Sequence, residues 1–323
     1  MSRRILCSLA AACAAIGLSN CAGVPLPSPL HAAAVGDVAM QASKRPANSE
    51  RVYVGNYYDN DIDVFTNAGK QIGTLKAMCK PEGLASDTQG NVYEADQCAH
   101  EIRVFASDTP KARLTIGDHG FAPLGIAIDR QGDVAVANVC ATLRQFCQFD
   151  QLDQGNVTVF LAPDYKQTRV YANGCFYCFF VAFDAAGNLW ADGNTSAFPP
   201  GTIGYWPAGS ETYVPVNIAF NFPGGLLFDA NGNLVLDDQS GSSNGGSEVF
   251  VYAPGSTKPF RSIAVQPDGS HVVQIALGAA GKRLYAPDDD DNAIRLINYR
   301  NGQLQKTITP AQSGGFIGVT TTY

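Results

Sequence analysis

The chain has 323 residues, 46% of them hydrophobic and 16% charged, which supplies a sizeable apolar core and too little charge for a disordered chain. Its 33 glycines and 18 prolines are dispersed rather than clustered, as many short strands joined by turns require. A formal net charge of -7 argues against nucleic acid as a partner, because phosphates would repel such a surface.

Residues 1–20 read as an export signal. Arg3 and Arg4 form a positive head, and Ile5 to Leu18 form an apolar stretch too short to span a membrane in a mature protein. The stretch ends in Leu18-Ser19-Asn20-Cys21, which resembles the lipobox of bacterial lipoproteins, although that pattern prefers Gly or Ala where Asn20 stands. The resemblance implies a lipid anchor on Cys21 and a place in the cell envelope, periplasmic or surface-facing. The alternative is ordinary signal-peptidase cleavage near Ala32-Ala33-Ala34, which yields a soluble periplasmic or secreted product. No later apolar segment reaches the roughly 20 residues of a membrane helix, so the membrane is expected to be met only through the anchor. Residues 21–50 are rich in Ala, Pro and Ser and show no strand or helix period, which predicts a flexible tether.

The remainder repeats. Five segments share an apolar run, a turn and a second apolar run: Gly83 to Tyr93, Gly125 to Val134, Val181 to Trp190, Gly225 to Leu234, and Gln274 to Leu284 with one extra residue. Their aspartate position falls at 87, 129, 184, 229 and 278, spacings of 42, 55, 45 and 49 residues. That period suits a four-stranded propeller blade of roughly 40 to 50 residues. A third strand recurs six times, at Ile62 to Phe65, Ile102 to Phe105, Val157 to Phe160, Ile203 to Trp206, Val249 to Tyr252 and Ile294 to Ile297. The sixth first strand is found only at the end, in Phe316 to Thr320, and is predicted to pair beside Val52 to Asn56. The predicted fold is all-β: a six-bladed β-propeller over 51–323, its ring closed by the C-terminal strand pairing with the N-terminal blade.

These segments resemble the NHL repeat, Gly-Ile-Ala-Val-Asp-x-x-Gly-Asn-Val-Tyr-Val-Ala-Asp followed by Ile-x-Val-Phe, with Gly83 to Asp96 and Gly125 to Asn138 as the closest copies. The resemblance covers nearly all of 51–323. It implies the fold and leaves the activity open, since such propellers host both binding modules and enzymes.

Outside Cys7, Cys13 and Cys21 there are six cysteines, an even count that in an exported domain predicts disulfides. Cys79 precedes the first strand of its blade and Cys98 follows the second, so the two emerge on one face and are predicted to pair. Cys140 and Cys147 lie in an enlarged loop, and Cys175 and Cys178 precede the next first strand. Cross-links between these two pairs are expected to staple the loop to its neighbour, with the connectivity among the four left open. Cys175-Phe176-Tyr177-Cys178 also has the spacing of a redox centre or half a zinc site. Export disfavours free thiolates, and no helix or neighbouring histidine supports either reading.

Beyond the repeated aspartate turns, most of the candidate chemistry gathers on the same face. Asp87, Asp129, Asp184 and Asp229 sit in Asp-x-x-Gly turns and are read as caps. Nine residues on, with allowance for the one-residue insertion before Asp288, the aligned positions Asn56, Asp96, Asn138, Gly193, Asp238 and Asp288 form a ring in which five of six carry an oxygen donor. With Glu82 they could hold Ca²⁺ or another divalent cation. Gluconolactonase-like propellers, a related fold, hold a catalytic metal with such a cluster over the central channel; the competing role of the ring is loop capping, as in the plain NHL repeat. The run Asp288 to Asp291 needs relief by solvent or a cation. His100, His119 and His271 fall in loops of the same face without triad or ligand spacing, and neither a nucleophile elbow nor the Trp-Phe-Thr-Glu signature of virginiamycin-lyase-type propellers occurs. Tyr57, Tyr58, Phe121, Phe146, Phe149, Phe176, Tyr177, Phe179, Phe180 and Phe198 lie near this face, and Phe146, Phe149, Phe176 and Tyr177 are selected as a partner surface. The expected function is an extracytoplasmic binding or scaffold propeller, monomeric, that presents this face to a protein or glycan. The alternative is a metal-dependent hydrolase or lactonase at the channel.

Overall fold

A computed structural model describes residues 50–322 except 78, 108, 120, 142–153, 197–199, 268, 279 and 311–313. Cys21, the tether to residue 49, Cys147, Phe146, Phe149 and Phe198 lie outside the described residues. Those described form strands and turns, and none of them belongs to a helix long and apolar enough to cross a membrane.

Twenty-four strands run in chain order. The first seven are β1 (Arg51–Asn56), β2 (Asp61–Thr66), β3 (Gln71–Lys76), β4 (Pro81–Ser86), β5 (Val92–Asp96), β6 (Glu101–Phe105) and β7 (Leu114–Gly117). Then come β8 (Ala122–Ile128), β9 (Val134–Cys140), β10 (Asn156–Phe160), β11 (Thr168–Tyr171), β12 (Tyr177–Phe183), β13 (Leu189–Asn194), β14 (Gly201–Trp206) and β15 (Val214–Val216). The last nine are β16 (Pro223–Phe228), β17 (Leu234–Asp238), β18 (Glu248–Tyr252), β19 (Arg261–Ala264), β20 (Ala276–Leu277), β21 (Arg283–Asp288), β22 (Ala293–Asn298), β23 (Leu304–Ile308) and β24 (Phe316–Thr322). They make six four-stranded antiparallel sheets: β24-β1-β2-β3 as blade 1, then β4 to β7, β8 to β11, β12 to β15, β16 to β19 and β20 to β23 as blades 2 to 6. The chain is a six-bladed β-propeller.

Ring closure follows the predicted register. β24 pairs with β1, with Val54 opposite Val319 and Asn56 opposite Phe316, so no inner strand is left unpaired where the termini meet. The apolar residues of adjacent sheets interdigitate in clusters centred on the gaps between blades. Between blades 1 and 2, for example, Tyr53, Ile62 and Val64 meet Leu84, Val92 and Phe105. Between blades 2 and 3, Tyr93, Ile102 and Val104 meet Ile126, Val136 and Phe160. Strict alternation along the middle strands gives each one apolar residues for both gaps, and each fully buried side chain contributes about 2 kcal/mol.

The Asp-x-x-Gly segments form the turns between first and second strands, on what we call the turn face. Asp87 Oδ1 accepts the amides of Gln89 at 2.9 Å and Asn91 at 2.8 Å, while Gly90 takes φ of 83°. Asp129, Asp184 and Asp229 repeat the arrangement. In the fifth copy Gly278 replaces the aspartate because a side chain there would run into the carboxylate of Glu50.

Candidate functional site

The opposite end of the blades, the loop face, carries the ring of strand-end residues. Asn56, Asp96, Asp238 and Asp288 each end a second strand, and Asn138 lies two residues before the end of β9; all five are buried. Most of their polar atoms bond nearby backbone amides or side chains. Asp96 accepts the amides of Cys79 and Ala99 at 3.1 and 3.0 Å. Asp238 accepts those of Asn221, Phe222 and Ser240 at 2.7, 3.0 and 3.1 Å. Asn56 Oδ1 accepts the Asp59 amide at 3.1 Å, and Asn138 donates to Asn156 Oδ1 at 2.8 Å and to Thr158 at 3.2 Å. Asp96, Asp238 and Asp288 therefore tie their hairpins to the loop leading into their own blade, whereas Asn56 caps its own hairpin and Asn138 bonds the adjacent strand β10. Among the described residues, the ring's acids Asp96, Asp238 and Asp288 and Glu82 form no group of three close acidic, histidine or cysteine ligands; that group is His271, Asp289 and Asp290.

Blade 4 replaces the cap with a covalent bond. Cys175 and Cys178 bridge each other, with Cα atoms 5.3 Å apart, immediately before and inside the start of β12. The expected cross-link from this pair to Cys140 and Cys147 is corrected by that bridge, since a turn of three residues brings the two thiols together before either reaches the adjacent loop. Cys140 is also disulfide-bonded, to a partner outside the described residues. Gly193, the ring's one residue without an oxygen donor, is explained by the same bridge: a Cβ there would fall on the Tyr177 carbonyl and on Cys175. Cys79 and Cys98 pair as predicted, with Cα atoms 5.7 Å apart.

Further in, the first strands carry bulges at Glu82, at Leu124 and Gly125, at Phe179 and Phe180, and at Gly224 and Gly225. A bulge also marks the pairing of Val54 to Asn56 with β24, at Ile317 and Gly318. Bulges bend these strands toward the axis, and neighbouring backbones come so close that a Cβ on Gly83 would meet the Leu124 carbonyl and one on Gly125 the Phe179 carbonyl. In blade 6 the glycine position is taken by Gln274, whose side chain reaches past blade 1 to blade 2. Its Nε2 donates to the Leu84 carbonyl at 2.9 Å, and its Oε1 accepts the amides of Leu84 and Val319 at 3.0 and 2.9 Å. This bar lies across the channel. On the turn-face side of it is a cavity of about 400 Å³, lined by Ser86, Ala127, Phe183, Phe228, Ile275 and Thr320 among others. Toward the loop face, the next ring is Leu124, Phe179, Val273 and Ile317 with Gly224, and Glu82 as its one acid.

Burial pushes several carboxyls upward. Glu82 rises to about 7 despite the nearby charge of Lys80, and Gln97 donates to it at 3.2 Å. Glu94, with no hydrogen-bond partner on either oxygen, rises to about 8 through burial and the neighbouring Asp96. Asp118 rises to about 7, and Asp192 and Asp237 well above the carboxylate range, again through burial.

The acidic run resolves into two pairs. Arg295 binds Asp288 through Nε and Nη2, at 3.2 and 2.8 Å, and Asp291 through Nη2. The relief read from sequence as solvent or cation is thus supplied for half the run by a buried guanidinium. Asp289 and Asp290 instead face His271. The other histidines are elsewhere: His100 Nδ1 lies 2.6 Å from the Phe121 carbonyl, and His119 stacks on Phe160. Of the aromatic pair chosen for a partner surface, Phe176 is half-buried but Tyr177 is 1% exposed and belongs to the core, a correction forced by its place as the first residue of β12. Among the described residues, Tyr58, 69% exposed, is the most open aromatic on this face.

Sequence reasoning missed Gln274 as a structural bar. The signal was present: four of the six repeat copies have glycine at its position, namely Gly83, Gly125, Gly225 and Gly318.

Comparison with known proteins adds the following. No family model matches the chain. The NHL-repeat-containing protein 4 of Mus musculus is 30% identical over 95 residues, 27% of this chain and 68% of that protein. Among solved structures, that of a nidogen/laminin complex matches with a TM-score of 0.65 at 18% identity, over 84% of this chain and 98% of the other. A catalytically inactive virginiamycin B lyase from Staphylococcus aureus with quinupristin matches with a TM-score of 0.53 at 15% identity, over 81% and 82%. At these identities the structural likenesses concern the fold.

Proposed function

The chain belongs to the NHL-repeat proteins, and on that premise we propose that it is an exported binding propeller that holds a protein partner on its loop face. The observation that carries the proposal is the apolar lining of the channel beneath that face. Gln274 links blade 6 to Leu84 and Val319, and among the described residues the adjoining first-strand positions are apolar apart from Glu82, a lining with few convergent polar groups for a small substrate. The face offers instead a set of loops pinned by buried caps and by the Cys79–Cys98 and Cys175–Cys178 bridges, the rigidity that reduces the ordering cost of binding a macromolecule. The matched nidogen/laminin structure, a complex of two proteins, is in keeping with this use of the fold.

The disulfides are consistent with an extracellular location. Lipid attachment at Cys21 would hold the propeller at the envelope through the Ala- and Pro-rich tether, and Cys21→Ala should abolish incorporation of labelled palmitate. The binding proposal is tested with the purified chain against arrayed envelope proteins and arrayed glycans. The expected result is a protein ligand whose binding falls at least tenfold on Tyr58→Asp or Phe176→Asp and is unaffected by Phe260→Asp on an outer strand edge. Binding confined to glycans, or turnover of a lactone that depends on an added divalent cation, would overturn it in favour of the other two classes.

A further inference from the structure

We propose that His271, Asp289 and Asp290, on the loop face of blade 6, form a binding site for one divalent first-row transition cation. One donor atom from each lies within 4.8 Å of the others. Donors around a cation at about 2.0–2.2 Å are separated by at most about 4.4 Å, so small side-chain rotations complete the shell. The backbone sets the two chains facing: the His271 amide donates to Asp288 Oδ1 at 3.3 Å and its carbonyl accepts the Asp289 amide at 3.0 Å, next to the Val272–Asp288 bridge.

The charge balance around the site points the same way. The Arg295 guanidinium is committed elsewhere, its Nε and Nη2 on Asp288, Nη2 also on Asp291, and Nη1 on Thr307 at 3.3 Å. Its single positive charge already faces two carboxylates, and none of these bonds goes to Asp289 or Asp290, whose carboxylates lie within 4.8 Å of each other and of His271. The Gly315 backbone packs against Asp289 Oδ1 so closely that a Cβ there would collide with it, which fixes that carboxylate beside His271. The imidazole decides the class of ion: Ca²⁺ takes six to eight oxygens, whereas a mixed nitrogen and carboxylate set suits Mn²⁺ through Zn²⁺. Three protein ligands leave positions open, and with Asp290 exposed the open side faces solvent on the loop face. The site does not depend on the partner-binding reading.

The test uses the chelator-stripped chain titrated calorimetrically with ZnCl₂, MnCl₂ and CaCl₂. One equivalent of Zn²⁺ is expected, bound more tightly than Ca²⁺. His271→Ala and the double variant Asp289→Asn/Asp290→Asn should each weaken Zn²⁺ by about 100-fold or more, on the scale by which even outer-shell changes weaken metals by 10- to 100-fold. Asp164→Asn, remote and exposed, should leave it unchanged. In the unmutated chain, sub-stoichiometric Mn²⁺ should broaden the imidazole resonances of His271 and spare those of His100 and His119, a readout that survives if a variant misfolds. No Zn²⁺ uptake, Ca²⁺ preferred over Zn²⁺, or broadening that leaves His271 untouched overturns the proposal.

Discussion

Blades 2 and 4 both carry a disulfide on the loop face, yet they close their loops by different means. In blade 2 a buried carboxylate, Asp96, accepts the amides of Cys79 and Ala99, and the Cys79–Cys98 bond spans 19 residues around it. In blade 4 the carboxylate is gone, Gly193 stands in its place, and a bond across three residues fills the space. The same repeat position thus tolerates a polar cap or a covalent one, but not both in the same volume. Two positions earlier on the same strands, blade 2 has Glu94 and blade 4 has Ala191, each fully buried or nearly so.

Four changes break or sharpen this comparison. Both blades presuppose a closed ring, so deletion of residues 314–323, which removes β24, should abolish cooperative unfolding; a truncated chain that still melts sharply would mean the blades hold without closure. Next is Glu94→Gln. The folded carboxyl is raised to about 8, so between the ordinary carboxylate pKa and pH 8 the unfolded chain releases its proton and the folded one does not. Stability falls with rising pH across that window, by on the order of 4 kcal/mol from this group, and the variant should lose that decline when denatured at pH 5 and pH 8. A variant that tracks the parent at both pH values refutes the assignment. Gly193→Asp, which imports the cap of blade 2 into blade 4, should cost about 3 kcal/mol in chemical denaturation because the side chain collides with the Tyr177 backbone and the bridge. An unchanged midpoint would show that cap and bridge can coexist. Smallest is the difference between the bridges. Paired serine substitutions should cost about 3 kcal/mol for Cys79 with Cys98 and about 2 kcal/mol for Cys175 with Cys178, since the longer loop restrains the unfolded chain more. Equal costs would point to native-state strain relief or residual structure rather than loop entropy.

Much of the site was readable because it is local or periodic. The cap role of Asp87 and its copies needs only the four residues that follow, and the Cys79–Cys98 pairing follows from which strand ends share a face. Tyr177 was misplaced because alternation within β12 is broken by its bulge, and the cross-link to Cys140 and Cys147 was favoured because distance between loops cannot be judged from spacing. The repeat shows that Gln274 departs from glycine, but not what it bonds, since its partner Leu84 lies 190 positions away.

The chain's own order of residues determined the number of blades, the strands that compose them, the turn chemistry and the closing partner of β1, because each rests on a hydrophobic period or a short-range hydrogen bond that a segment carries by itself. Tertiary structure alone decided what the shared ends of those segments do. Which carboxylate finds an amide, and which is left to Arg295 or to His271, are set by how the loops of a blade fold back over its strand ends. Competition for the same few cubic ångströms around the axis is a property of the assembled ring.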